Sequence, residues 1–354
     1  MALTSSGALS LNEIHVEAGG DTGTTAGLND TDIRDLISKG SGATMAFNEW
    51  YGATAFTARA LFVGGDANQT RNVIDYVEIA TTGNATDFGD LLYSGSQGGG
   101  SVSSSTRAVH GGGNNVGRDA DQLTLLQYST IATTGNATDF GDFYENNMSQ
   151  ATFSSATRGI WGDDTGDLGA GVEVIHYITI ASLGNSLDFG DRTIVTLSSA
   201  GASSTTRGLV AGGRTGGTDK NVIDYVTIAS VGNATDFGDL TSGRRTLSGC
   251  SSNTRACFMG GVAWPNTVNI IDYVTIASTG NATDFGDLSA VNSNGSATSS
   301  STRGVYAGGQ QPQAATGDMV YITIASTGNT SAFGALSATR HSLGASSNAH
   351  GGLA

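Results

Sequence analysis

Cysteine and proline are nearly missing: the chain of 354 residues has two of each. Two thiols, Cys250 and Cys257, cannot build a disulfide scaffold or a cysteine-rich zinc module. Charge is scarce, at 13% of residues against about 25% in an average globular protein. It is also lopsided, with 16 Lys+Arg against 31 Asp+Glu and a net charge of −15. Such a polyanion suits neither nucleic acid, whose phosphates are met by Lys and Arg, nor an anionic membrane surface. No run of 18 apolar residues exists, so membrane insertion is not expected. The opening MALTSSGALSLNE lacks the basic and apolar regions of a secretory signal. What the chain has in abundance is glycine, 53 residues, with much Ser and Thr. That composition alone would read as disorder. Val, Ile, Leu, Phe and Tyr recur in ordered blocks, however, and so point to dense β-structure.

The blocks are copies of one another. NVIDYVEIATTGNATDFGDL begins at Asn72 and recurs as LLQYSTIATTGNATDFGDF from Leu125. Further copies are EVIHYITIASLGNSLDFGD from Glu173, NVIDYVTIASVGNATDFGDL from Asn221 and NIIDYVTIASTGNATDFGDL from Asn269. A decayed sixth, MVYITIASTGNTSAFGAL, starts at Met319. A second landmark is an Arg before a short apolar run: Arg59, Arg107, Arg158, Arg207, Arg255 and Arg303, with His350 in the place of a seventh. The period near 50 residues is that of kelch-type propellers.

Each unit reads as four strands. Around residue 250 they are Arg244–Ser252, Arg255–Gly261, Asn269–Ser278 and Ala282–Leu288, separated by Asn253-Thr254, a variable loop and Thr279-Gly280-Asn281. Four antiparallel strands per repeat make a propeller blade, and six third and six fourth strands make six blades. The first unit lacks a convincing first strand, because YGATAFTA before Arg59 matches the others poorly. The C-terminal RHSLGASS (340–347) supplies a spare. The expected fold is therefore all-β: a six-bladed kelch-like β-propeller over 53–354, closed by the C-terminal strand against 60–65. A short N-terminal segment, 1–52, precedes it. Closure removes exposed sheet edges.

A four-stranded meander puts its 1–2 and 3–4 turns at one end and its 2–3 and 4–1 loops at the other. The 1–2 turns are nearly uniform (SSST, SSAT, SSTT, SSNT, SSST), as are the 3–4 turns. The 2–3 loops differ: DANQTR, NNVGRDADQ, DDTGDLGAG, RTGGTDK, VAWPNTV and QQPQAATG. The 4–1 loops differ too. One end held constant while the other diversifies is the pattern of a binding surface on a rigid scaffold; drift in idle loops is the alternative. At the variable end Trp264 and Pro265 stand out, suited to sugar stacking or a protein hot spot unless Trp264 folds back over its blade. Arg118, Arg214 and Lys220 are the other candidates, as isolated cations on an acidic chain.

At the constant end the six Arg stand near the repeated Asp-Phe-Gly-Asp. The expectation is structural ion pairs between Arg59, Arg107, Arg158, Arg207, Arg255 or Arg303 and Asp87, Asp139, Asp188, Asp236 or Asp284. Calcium is the competing use of such carboxylates, disfavoured by one Asp pair per repeat with a cation beside it. No cofactor or metal is expected. Asp-Phe-Gly also occurs in protein kinases, but here it lacks their other motifs. The Asn-Ala-Thr sequons at Asn84, Asn136, Asn233 and Asn281 read as turn chemistry. His15, His110, His176, His341 and His350 occupy unrelated slots and form no metal or catalytic set. Cys250 and Cys257 fall opposite one another, for interior packing or a cross-strand disulfide. No nucleophile elbow or metalloprotease motif is present, so an enzyme is not expected.

Residues 1–52 lack the repeat. Asn29 or Asp30 can cap a helix whose face is Ile33, Leu36 and Ile37, with Gly40 ending it. Met45, Phe47, Trp50 and Tyr51 offer a docking patch. SLNEIHVEAGG, LNDTDIRDLISK and MAFNEWYGA together resemble a leader found on structural proteins of tailed phages, notably marine cyanophages. The repeats are similar to the kelch-type repeats of fibre or appendage proteins in such phages. The resemblance implies a virion component assembled in a bacterial cytoplasm. Residues 1–52 would join it to other virion proteins, and the propeller would meet a host-surface glycan or protein. A capsid- or tail-decorating protein without receptor binding is the alternative, and a homo-oligomer on the particle is left open.

Overall fold

The computed structural model describes residue 14 and residues 58–66, 72–93, 99–113, 124–144, 151–162, 173–312 and 314–353. Contacts divide the chain into Met1–Thr57 and Ala58–Ala354. The expected helix at 28–40 and the patch Met45, Phe47, Trp50 and Tyr51 lie outside the described residues, as does Arg118.

The second unit is an all-β propeller of six four-stranded antiparallel sheets. Blade 5, for example, consists of Ser248–Ser251, Arg255–Met259, Ile270–Thr275 and Thr283–Asp287, in that spatial order. Blades 2, 3, 4 and 6 start at Gly100, Thr152, Ala200 and Ser296 and repeat it. Blade 1 takes three strands from the start of the ring, Arg59–Val63, Val73–Glu78 and Thr86–Asp90, and its innermost strand, Gly344–Ser347, from the end. The closing register sets Ala60 opposite Ser347 and Val63 opposite Gly344. The C-terminal closure expected from the missing first strand is the arrangement observed.

Alternation explains the packing. In the third strand Ile271, Asp272 and Val274 are buried, while Tyr273 is half-buried. The six apolar clusters each draw on two adjacent blades. One joins Leu209, Ile223 and Phe237 of blade 4 to Phe258, Val274 and Ile276 of blade 5; another joins Val305 and Phe333 of blade 6 to Phe62 and Val77 of blade 1. A blade therefore buries its faces only against neighbours, so closure completes the core as well as covering an edge.

The Asp-Phe-Gly-Asp repeat is a β-bulge. In blade 4, Ile223 pairs with Gly238 and Asp224 with Asp236, so Phe237 is left over and enters the core. Gly238 has φ 145°, and a Cβ there would stand 2.5 Å from the carbonyl oxygen of Gly280 in the next blade. Glycine is required by backbone conformation and by close approach together.

The innermost strands are tied directly to one another. Each final serine donates its hydroxyl to the matching carbonyl of the preceding blade: Ser154 to Ser103, Ser203 to Ser154, Ser251 to Ser203, Ser299 to Ser251, Ser347 to Ser299 and Ser103 to Ser347. The six bonds, 2.5–2.9 Å long, form a closed hydrogen-bonded ring around the channel. Beyond Ser347 the chain crosses the channel at this end. Gly351 N donates to Ser251 O at 3.0 Å, and His350 Nε2 lies 3.0 Å from both Ser103 O and Ser154 Oγ. A cavity of about 40 Å³ remains between the inner strands and His350.

Candidate functional site

The constant end is a set of bolts between blades. Each repeated Arg lies over the third-strand Tyr of its own blade, with Cζ 4.3–4.7 Å from the ring centroid, as for Arg207 over Tyr225 and Arg158 over Tyr177. Each also reaches the next blade. Arg59 Nη1 donates to Ile131 O, Arg107 to Ile180 O, Arg158 to Ile228 O, Arg207 to Ile276 O, Arg255 to Ile324 O and Arg303 to Ile79 O. The Tyr meets the bulged Phe edge-on, Tyr225 and Phe237 at 6.0 Å, so every blade carries an Arg–Tyr–Phe stack.

This corrects the expected ion pairs. Among the described residues, none of Arg59, Arg107, Arg158, Arg207, Arg255 and Arg303 pairs with Asp87, Asp139, Asp188, Asp236 or Asp284. Among the described residues the one salt bridge in the Arg set joins Arg59 to Glu78, at 3.0 Å. The bulge is the reason: it turns Phe inward and leaves the first Asp of the repeat exposed, where water solvates it. The sequon Asn are bolts as well. Asn281 Oδ1 accepts from Asp239 N at 3.1 Å, and Asn84, Asn136 and Asn233 do the same at their junctions.

Buried ion pairs exist elsewhere, at the variable end. Arg244 Nη2 meets Asp272 Oδ2 at 2.6 Å, Arg340 Nη2 meets Asp75 Oδ2 at 2.8 Å, and Arg192 Nε meets Asp224 Oδ2 at 3.0 Å. Thr241 and Ser337 hydroxyls also donate to Asp272 and Asp75. Burial pulls the Arg244 guanidinium below its ordinary pKa, and Asp272 opposes that pull. The sequence carried a signal: Asp inside the apolar Ile-Asp-Tyr of blades 1, 4 and 5. Blade 6, with Val320 in that slot, has Asn292 where Arg244 stands, and Asn292 Nδ2 donates to Gly308 O as Arg244 Nη1 does to Gly260 O.

The variable loops of blades 4, 5 and 6 are small hairpins rather than irregular loops. They pair Arg214–Thr215 with Thr218–Asp219, Val262–Ala263 with Asn266–Thr267, and Gln310–Gln311 with Ala314–Ala315. A Gly-Gly pair with positive φ launches each, such as Gly260 and Gly261 at 64° and 105°. The hairpins bridge to the 4–1 loops at Leu197–Arg214, Arg245–Val262 and Ser293–Gln310. Backbone is therefore shared while tips differ.

Trp264 and Pro265 form the tip of the blade 5 hairpin, and both are exposed. Trp264 is 69% exposed, so it does not fold back over its blade. Its backbone N–H donates to Asp219 Oδ2 at 2.8 Å, across the junction with blade 4. Arg245 Nη1 meets Asp219 Oδ1 at 2.6 Å, and its Cζ lies 5.6 Å from the indole centroid. Neither Asp219 nor Arg245 stands out in the sequence, because they belong to different repeats and meet only across a blade junction. Arg214, by contrast, is half-buried, with Nη2 on Gly217 O at 3.3 Å. Lys220 is half-buried too, its backbone N donating to Gly213 O. Trp264 is thus joined by Arg245 and Asp219 and not by the cations singled out from sequence.

The histidines do not converge. His110 sits between Ser101 Oγ at 2.8 Å and Ser129 Oγ at 3.3 Å, and burial pushes its pKa down to about 3. His176 packs against Phe143 and Tyr144. Burial lowers His341, against the pull of Asp66, and takes His350 down to about 4. Among the described residues no three His, Cys, Asp or Glu stand together as metal ligands, and no helix is long and apolar enough to cross a membrane. Cys250 and Cys257 are opposite partners in register, as expected, and both thiols are free and buried.

The fold and the two unlike ends define a class: a six-bladed β-propeller, an architecture compatible with a recognition or binding domain. In comparison with known proteins, no family model matches the chain and no curated protein matches it.

Proposed function

We propose that this chain is a non-enzymatic virion structural protein of a tailed phage, a fibre or appendage component. Residues 1–52 attach it to other virion proteins, and the variable end of the propeller recognises a glycan or protein on the host surface. One observation carries the recognition reading. All six junctions at the constant end repeat one set of Arg, Tyr, Phe and Asn contacts. At the other end, hairpins of shared backbone carry unlike tips: Gly216-Gly217, Trp264-Pro265 and Pro312. A scaffold that fixes tip position while leaving tip chemistry free is what surface recognition needs. The phage assignment rests on the likeness of the N-terminal motifs, and of the kelch-type repeats beside them, to structural proteins of tailed phages.

The second reading, decoration of a capsid or tail, is favoured by one feature. Leu183, Leu187 and Val231 are each more than half exposed at the constant end of blades 3 and 4, where the other repeats mostly have Thr. The test is adsorption of the purified full chain to host cells and its competition with infection. Recognition predicts saturable adsorption, lost when the three hairpin tips are replaced together by Gly-Asn and retained when Leu183, Leu187 and Val231 become Thr. Absence of adsorption and of competition would overturn recognition in favour of decoration.

A further inference from the structure

The six-fold repeat supplies its own baseline for finding a site, since a residue the scaffold needs recurs at equivalent positions. The Trp264, Arg245 and Asp219 cluster does not recur. In the equivalent slots around the described ring, Trp264 is replaced by Gly216 and Pro312, Arg245 by Leu197, Ser293 and His341, and Asp219 by Thr267 and Ala315. Those junctions close without them. Three chemistry-bearing side chains that depart from the repeat together, in mutual contact, at one junction, are not explained by ring closure.

The contacts fix the aromatic in place. Asp219 is buried to within 7% of its side-chain surface, and accepts both the Arg245 guanidinium and the Trp264 backbone N–H. Arg245, itself 15% exposed, is held by that carboxylate and lies against the indole. The two charges neutralise one another, so what the cluster presents outward is an uncharged, orientated aromatic plane. Leu92, Tyr93 and Tyr144 are nearly half exposed at this end too, but in the loops between blades 1 and 2 and between blades 2 and 3; among the described residues at the junction of blades 4 and 5, Trp264 is the one exposed large apolar side chain. Its hairpin neighbours Asn266 and Thr267 are polar. A protein anchor residue belongs at the centre of an apolar, water-excluding ring. A lone aromatic plane with amide and hydroxyl groups at its border instead matches a sugar ring, which offers an apolar C–H face and a hydroxyl perimeter. The net charge of −15 repels acidic polysaccharide at long range.

We propose that Trp264, backed by Arg245 and Asp219, is a stacking platform for a neutral pyranose unit of a surface polysaccharide. This rests on the recognition reading above and names its ligand class. A mobile indole would have to be ordered on binding; here the ordering is done in advance, which lowers the entropic cost of association.

The experiment uses the full chain on an array of neutral and acidic bacterial polysaccharides, with host-cell adsorption measured in parallel. The expected result is retention on neutral-hexose glycans, reduced at least tenfold by Trp264→Ala and partly kept by Trp264→Tyr, with the thermal midpoint of both variants unchanged. Arg245→Leu is expected to weaken binding severalfold through loss of orientation. Periodate treatment of cells, which cleaves sugar diols, should abolish the Trp264-dependent adsorption, and protease treatment should not. Glycan binding that ignores Trp264, no neutral-glycan binding, or adsorption sensitive to protease and not to periodate each overturns the platform. If wild type and Trp264→Ala adsorb to cells equally, the platform fails and recognition stands. If wild type does not adsorb at all, recognition itself fails.

Discussion

Arg207 illustrates how a residue's role depends on what its neighbours leave open. Its guanidinium has no Asp within reach because the bulge leaves Asp236 exposed. It takes the Tyr225 face and the Ile276 carbonyl instead, 4.3 Å and 2.8 Å away. A desolvated cation–π contact contributes up to about 2 kcal/mol and a charged hydrogen bond about 1.5–3 kcal/mol. Arg207→Ala should therefore destabilise the ring by roughly 2–3 kcal/mol in urea unfolding, whereas Asp236→Ala should change it by less than about 0.5 kcal/mol. Equal effects of the two would restore the ion-pair account. The repetition of Arg and of Asp-Phe-Gly-Asp was plain in the sequence. Their pairing was not, because one inserted residue in a strand reverses which side chain faces in.

At the scale of the strand and its loop, the buried pairs show why some blades carry charge inside. Asp272 is fully buried against Arg244, which Gly260 O and Ile270 O also hold. Removing one partner strands the other charge in the core, which costs about 3–5 kcal/mol. Asp272→Val should be that damaging. Arg244→Asn combined with Asp272→Val copies the arrangement of Asn292 and Val320 in blade 6 and should cost less than Asp272→Val alone, which makes the coupling in a double-mutant cycle larger than about 3 kcal/mol. Additive losses from the two substitutions would show that the blade 6 solution does not transplant. The sequence displayed each half of these pairs. Arg340 and Asp75 lie at opposite ends of the ring's chain, however, and become neighbours only through closure.

At the scale of the molecule, the tail is the lock. His350 is neutral in its seat: Nδ1 accepts from Gly352 N at 3.1 Å, and Nε2 faces Ser103 O. A proton on Nδ1 would confront an N–H. Burial accordingly lowers its pKa from 6.5 to about 4. The unfolded chain then binds the proton more readily, so this contribution to stability is complete above pH 6.5 and is lost as pH falls from there through about 4. The slope approaches about 1.4 kcal/mol per pH unit for one such group. Between about pH 6.5 and 5, above most carboxylate titration, His350→Gln should unfold with a shallower pH dependence than wild type; an unchanged slope would assign the acid sensitivity elsewhere. His110, lowered to about 3 by burial, adds in the same direction and leaves a residual slope.

The sequence by itself determined the number of blades, the strand order within each and the need for the C-terminus to complete the first. Local period and alternation, with the cost of an open sheet edge, are enough for that. It also determined which end is uniform and which varies. Only tertiary structure decided the partners: the Arg on carbonyls one blade ahead, the serine ring, the His350 plug, and the meeting of Trp264 with Asp219 and Arg245. Each of those joins residues from different repeats, and the distance between repeats is set by how the sheets twist and close, a property of the whole ring that no single repeat encodes.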